Sequence, residues 1–149
     1  MKEKENGTGI TGREVLRISL NLWQILVDET KRVFPVEACA LLFGQFTEKE
    51  IVVKKIVTVP NILNSDVEFE IDGETLGRVI DQNGNLKLIG FFHSHPYLSF
   101  PSDKDIEFMR LWPDTIWLIY STIQDEGLSA FRIKNGRLER VTLHIYKEP

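Results

Sequence analysis

Cysteine is nearly absent: Cys39 is the single one in 149 residues. That excludes an intrachain disulfide and any cysteine-rich metal knuckle. Set in an apolar stretch, Cys39 reads as an inert core residue rather than a nucleophile, and a lone thiol fits a reducing cytoplasm, the compartment expected here. A basic excess is missing too. The formal net charge is −4, which speaks against a nucleic-acid surface and against an anionic membrane partner, and Lys54-Lys55 is too short a run to reverse that. No apolar run approaches the ~20 residues that span a bilayer. Met1 to Thr11 carries charges and glycines but no apolar segment, so it reads as neither signal peptide nor anchor. Residues 1–12 are expected to be a flexible tail ahead of one domain over 13–149. Repeats and low-complexity segments are lacking. The composition, 42% hydrophobic and 27% charged, is that of a soluble globular domain long enough for a sizeable core.

Histidine is also scarce, but two of the three fall in one cluster, His93-Ser94-His95-Pro96, followed by Pro101-Ser102 and Asp105. Side chains alternate along an extended chain, so His93 and His95 point to the same side of any strand they end. Two imidazoles and a carboxylate are the donor set of a catalytic zinc site with one open position. A plainer reading stands beside it: histidines are common at strand ends, and Ser102-x-x-Asp105 also resembles a capping box at a helix start. His144 alternates with Val141, Leu143 and Ile145 and is expected to face solvent.

The patterning predicts a short strand at Val15–Ile18, then a helix from Leu20 to Val33 with Ser19 as N-cap, its apolar stripe formed by Leu22, Leu26 and Val33. Strands follow over Glu37–Phe46 and Glu50–Val59, paired as a hairpin. Val67, Phe69 and Ile71 alternate with acids, which predicts a half-exposed strand. Asp72 caps a short helix bearing Leu76, Val79 and Ile80. Leu86 to Phe92 is nearly all apolar, the mark of a strand buried on both faces, and it delivers the histidines at its C-terminal end. A helix from Ser102 to Trp112 and a strand over Thr115–Tyr120 come next, with Trp112 and Trp117 as packing residues. Turn signals at Asp125-Glu126-Gly127 and Asn135-Gly136 set out a final two-stranded meander. The expected fold class is α/β, a single mixed β-sheet covered by two or three helices.

Hydrolysis at such a metal also needs a carboxylate that does not bind it. Glu37 is the candidate, since it opens an apolar strand where a charge has no packing role; it reads equally as an exposed residue at a strand start. The loop Tyr97-Leu98-Ser99-Phe100 is unusually apolar, either a contact patch for a protein substrate or a segment folded back on the core.

Pro35-x-Glu37-x-Cys39-x-Leu41-Leu42-x-Gly44, His93-Ser94-His95-Pro96 and Pro101-Ser102-x-x-Asp105 together resemble the signature of the JAMM (MPN+) metalloproteases. Ser121-Thr122-x-x-Asp125-x-Gly127-Leu128-Ser129-Ala130-Phe131 resembles that family's strand–turn–strand, so the likeness runs from about Val15 to Ile145. It implies an MPN-type, cytidine-deaminase-like fold and a zinc-dependent isopeptidase. His93, His95 and Asp105 would hold one zinc ion with water as fourth ligand. Glu37 would take the proton of that water and pass it to the departing amine, and Ser102 would stabilise the oxyanion. The substrate would be the C-terminal tail of a ubiquitin-like modifier. Release of a sulfur-carrier protein from a small adduct is the alternative within the family, and a non-catalytic MPN scaffold or a DNA-processing relative are alternatives outside that activity. Two departures from the family pattern stand out. Six residues separate His95 from Ser102 where seven are usual, and Ala40 replaces a frequent glycine.

Overall fold

The computed structural model describes residues 14–98, 100–123 and 127–148. The expected tail over 1–12, Ser99 of the apolar loop, and Asp125 and Glu126 of the first turn signal lie outside them. The chain runs β1 (Val15–Ser19), α1 (Leu20–Val33), β2 (Cys39–Phe46), β3 (Glu50–Val59), α2 (Gly73–Gln82), β4 (Lys87–His95), α3 (Asp103–Leu111), β5 (Ile116–Ser121), β6 (Leu128–Lys134) and β7 (Arg137–Tyr146).

Local chemistry explains most of these bounds. Ser19 accepts a hydrogen bond from the Leu22 N–H at 3.2 Å and so starts α1, satisfying one of the orphan donors of a helix N-terminus. Lys31 and Arg32 sit in the last turn, where the helix dipole favours cations. Asp72 caps α2 by accepting from the Thr75 N–H at 3.0 Å. β2 and β3 form the expected antiparallel hairpin, with a register shift at Phe43/Gly44.

The sheet is mixed and is accompanied by three helices, as the patterning predicts. Its closure was not legible in the sequence. The strand order is β1-β3-β2-β4-β5-β6-β7, and β1 pairs in parallel with both β3 and β7, so the sheet joins into a barrel without a free edge. A five-residue strand with partners on both sides thereby removes the exposed backbone an open sheet would leave at each end. β4 lies centrally, antiparallel to β2 and parallel to β5. One face of the sheet buries Leu16, Ile18, Leu42, Ile51, Phe92 and Leu118 with Leu26 of α1. The other buries Leu41, Phe43, Phe91, Trp117 and Ile119 beneath Val79 of α2 and Met109 of α3.

Two expectations need correction. Residues 67–71 form no strand. The alternation is real, with Val67 exposed and Phe69 buried, but the backbone of this segment is bound elsewhere. The Asn61 side chain donates to the Glu68 carbonyl at 2.9 Å and accepts from the Glu70 N–H at 3.1 Å. Likewise β2 begins at Cys39 rather than Glu37: the Glu37 N–H is taken by the Ser65 carbonyl, just ahead of that segment, at 2.8 Å. His144 is exposed on β7, as expected.

Candidate metal centre

β4 ends on the two histidines. Their side chains share the face that carries Phe91, so both turn toward the segment joining β3 to α2 and toward the N-terminus of α3. In the β2–β4 ladder Cys39 lies opposite His93. Glu37 lies two residues before Cys39, beyond the end of that ladder. On the other side His93 and His95 lie beside Ile119 and Ser121 of β5.

Asp105 reaches the same point from α3. Ser102 is the N-cap of that helix and makes a reciprocal capping box: its hydroxyl accepts from the Asp105 N–H at 3.1 Å, and its own N–H donates to Asp105 Oδ2 at 2.8 Å. The expected helix start is therefore present, and it aims the Asp105 carboxylate at the histidines. Asp105 Oδ2 lies 3.1 Å from His93 Nε2 and 2.9 Å from His95 Nε2, and the two nitrogens are themselves 2.9 Å apart. The six-residue connection between His95 and Ser102 thus brings the carboxylate fully into reach.

Glu37 completes the cluster, with Oε2 4.0 Å from His95 Nε2. It is 2% exposed, which removes the reading of an exposed strand-start residue. His93, His95 and Asp105 are likewise buried. Burial first, and the negative charges of Asp105, Glu68 and Asp66 after it, push the Glu37 carboxyl up to about 8. At Asp105 burial also works to raise the pKa, but His93, His95 and the Ser102 N–H outweigh it and hold the carboxyl well below its usual range. Burial lowers the pKa of His93, against the opposing pull of Asp105. The two carboxyl groups that approach His95 are thus pushed in opposite directions, Glu37 toward the protonated form and Asp105 toward the ionised one.

The donor set suits a divalent cation. His93 Nδ1, His95 Nδ1 and Glu37 Oε1 are buried without hydrogen-bond partners. Any distribution of protons over two neutral rings leaves either two Nε2–H groups facing each other at 2.9 Å or a buried Nδ1–H with no acceptor. A cation among the Nε2 atoms and the Asp105 carboxylate would remove the first conflict and place the ring protons on Nδ1, and neutral imidazole with ionised carboxylate is the ligand form zinc requires. Glu37, His93 and His95 offer ligand atoms all within 4.8 Å of one another, and Asp105 lies nearer still to both rings.

The chain matches, over residues 19–134, the family described as prokaryotic homologs of the JAB domain. It belongs to that family. Within this prokaryotic JAB-domain protein, 87 residues are 45% identical to a desampylase from Pyrococcus furiosus; the aligned part is 56% of this chain and 59% of that protein. The chain therefore aligns with about three fifths of the length of this curated relative. The fold is similar to the solution structure of a protein from Desulfitobacterium hafniense, with a TM-score of 0.74, 25% identity, and coverage of 89% of this chain and 94% of that one.

Several residues around the site were not singled out by the sequence. Phe69 stacks on the His93 ring, with centroids 4.5 Å apart and planes 23° apart, so packing orients a ring whose Nδ1 has no partner. Ser94, between the histidines, accepts a hydrogen bond from the Ala38 N–H at 2.8 Å. Both are long-range contacts. The alternation of Phe69 with acids was the one visible sign that it turns inward. The apolar loop is now placed: Tyr97, Leu98 and Phe100 are 55%, 48% and 59% exposed, which rules out folding back on the core. Tyr97 Oη donates to Asp66 at 3.1 Å, and Lys104 Nζ reaches Glu68 at 2.6 Å. Both contacts tie the far side of the cluster to the segment between β3 and α2. Cys39 is buried and its thiol is pushed up to about 12, by burial first and then by Glu29 and Glu37. This is the setting of the inert core residue expected of it. Among the described residues no helix is long and apolar enough to cross a membrane.

Proposed function

We propose that this protein is a zinc-dependent isopeptidase that hydrolyses the bond following the C-terminal tail of a ubiquitin-like modifier. The observation that carries the reading is the convergence of His93 Nε2, His95 Nε2 and Asp105 Oδ2 within 3.1 Å of one another, with a second, protonatable carboxyl at Glu37 4.0 Å away. Family membership and the identity to a desampylase support it.

His93, His95 and Asp105 would hold the ion. Zinc in such a site supplies Lewis acidity and brings the pKa of a water to ~7. Glu37, further from the rings than Asp105 and pushed up to about 8, would accept the proton of the attacking water and return it to the leaving lysine amine. A pKa near the working pH suits both transfers. The Ser102 hydroxyl spends an acceptor position on the Asp105 N–H, which leaves its proton free to be donated to the oxyanion of the tetrahedral intermediate. Losing one such donor costs about 2.7–4 kcal/mol of barrier. Asp103 and Asp105 sit in the first turn of α3, whose positive dipole end favours negative charge. The exposed Tyr97, Leu98 and Phe100 offer apolar surface beside the site to a folded modifier.

The test is a reconstituted hydrolysis assay. The zinc-loaded protein is incubated with ubiquitin-like proteins joined to lysine side chains and with sulfur-carrier proteins joined to small adducts, alongside Glu37→Gln and Ser102→Ala. Cleavage after the modifier tail that Glu37→Gln abolishes is the expected result. No cleavage of any isopeptide conjugate by protein carrying one zinc would sink the proposal, and cleavage of the small adducts alone would move it to the sulfur-carrier reading.

A further inference from the structure

The segment between β3 and α2 holds the candidate site from a side that none of the motif residues occupies, and one side chain organises it. Asn61 Nδ2 donates to the Glu37 carbonyl at 3.1 Å and to the Glu68 carbonyl at 2.9 Å, with the Ser65 carbonyl at 3.4 Å. Asn61 Oδ1 accepts from the Leu63 N–H and the Glu70 N–H, each at 3.1 Å. The backbone partners fix the orientation of the amide, because only N–H groups face Oδ1 and only carbonyls face Nδ2. Its donors and acceptor are thus all used, on groups from positions 37 to 70.

Glu37 needs such support. It lies outside β2, so no ladder holds its N–H and C=O. The Ser65 carbonyl takes the first and Asn61 the second. Both belong to the same segment, so Glu37 is clipped to it at both backbone polar groups. The same amide binds the backbone on either side of Phe69, at Glu68 and Glu70, and Phe69 stacks on His93. We infer that Asn61 is a positioning residue of this site: its amide clips Glu37 to the 61–70 segment, setting the carboxyl against His95 and Phe69 against His93. The catalytic part of this inference rests on the hydrolase reading above; the positional part does not.

Two variants separate donor from acceptor. Asn61→Asp keeps the acceptor for Leu63 and Glu70 but replaces the donor to Glu37 and Glu68 by a carboxylate oxygen that repels their carbonyls, while Asn61→Ala removes donor and acceptor together. Amide hydrogen exchange of the zinc-loaded proteins reads the positional claim. The Glu37 N–H is bonded to the Ser65 carbonyl, so its protection reads whether the segment stays clipped to Glu37: in Asn61→Asp it falls as Ser65 moves away while Leu63 keeps its own; in Asn61→Ala the amides of Glu37, Leu63 and Glu70 all lose protection; the β4 amides keep theirs in both. Unchanged protection at Glu37, or an equal loss through β4, overturns the inference whether or not the enzyme turns over. Kinetics on a lysine-linked ubiquitin-like conjugate read the rest. A displaced carboxyl lowers kcat by up to ~10²-fold, with KM and zinc content near those of the parent protein. A fall in zinc content, or a rise in KM at constant kcat, overturns the positioning role. A parent protein that cleaves nothing sinks the hydrolase reading instead, and the exchange result still decides whether Asn61 orders Glu37.

Discussion

Ser94 Oγ accepts a hydrogen bond from the Ala38 N–H at 2.8 Å, and the Ser94 N–H donates to the Ala38 carbonyl at 3.0 Å. The residue between the two histidines is therefore fastened to the residue beside Glu37 across the β2–β4 ladder. Alternation turns Ser94 away from the histidines, yet this contact fixes the distance between the strand that bears them and the chain that bears the carboxyl.

Ser94→Ala leaves the buried Ala38 N–H without its partner. The loss expected is about 1–3 kcal/mol of stability, read by urea denaturation. A change below about 0.5 kcal/mol would mean that the bond does not hold the two segments together.

Glu37 confers a pH dependence with a definite sign. Its folded pKa is about 8, against about 4.3 for an unperturbed glutamate. Between those values the folded protein keeps a proton that the unfolded chain releases, so raising pH through this window favours unfolding. Glu37→Gln does not ionise. In metal-free protein the variant should match the parent near pH 4 and exceed its stability at pH 9 by more than about 1 kcal/mol, the worth of roughly one pKa unit. Parallel stability curves across that range would refute the raised pKa.

Asp105→Asn keeps the size of the side chain and an oxygen for the Ser102 N–H, so α3 should stay capped. It removes the anionic oxygen nearest both rings. Zinc affinity should fall at least about tenfold, since even an outer partner is worth that much. Competition against a chelating dye measures it, and an unaltered affinity would strike Asp105 from the ligands.

Gly90 faces Ile116 where β4 and β5 run side by side. A Cβ there would land on the Ile116 carbonyl oxygen. The obstacle is backbone in a paired strand, so the strands themselves would have to part. Gly90→Ala should cost about 3 kcal/mol, the upper range for overpacking, and should loosen the strand that carries both histidines. Denaturation midpoints of soluble variant and parent give the comparison, and a shift within error would contradict the close approach.

Asp72, Ser19 and Ser102 were legible as caps because capping depends on residues three positions apart. The helix bounds at Leu20 and Val33, and the β3 bounds at Glu50 and Val59, follow from pattern and breakers in the same local way. The segment 67–71 was misread for a related reason: alternation shows which side chains turn inward, but not whether the backbone has a strand to pair with, and Asn61 had already taken it. The exposure of Tyr97, Leu98 and Phe100 has no local signal either, since it goes with the distant contact of Tyr97 with Asp66.

The sequence alone determined the donor types, their order, and the shared face of His93 and His95, because these depend on composition and on the two-residue period of a strand. The tertiary structure decided the rest. The pairing of β2 with β4 brings the Glu37 carboxyl within 4.0 Å of His95 from 58 positions away in the chain, and the start of α3 swings Asp105 onto both rings. Barrel closure through β1 and the clip of Glu37 by Asn61 are of the same kind. Register, closure and side-chain capture of backbone are contacts between distant segments, and their energies depend on partners that no local stretch of sequence contains.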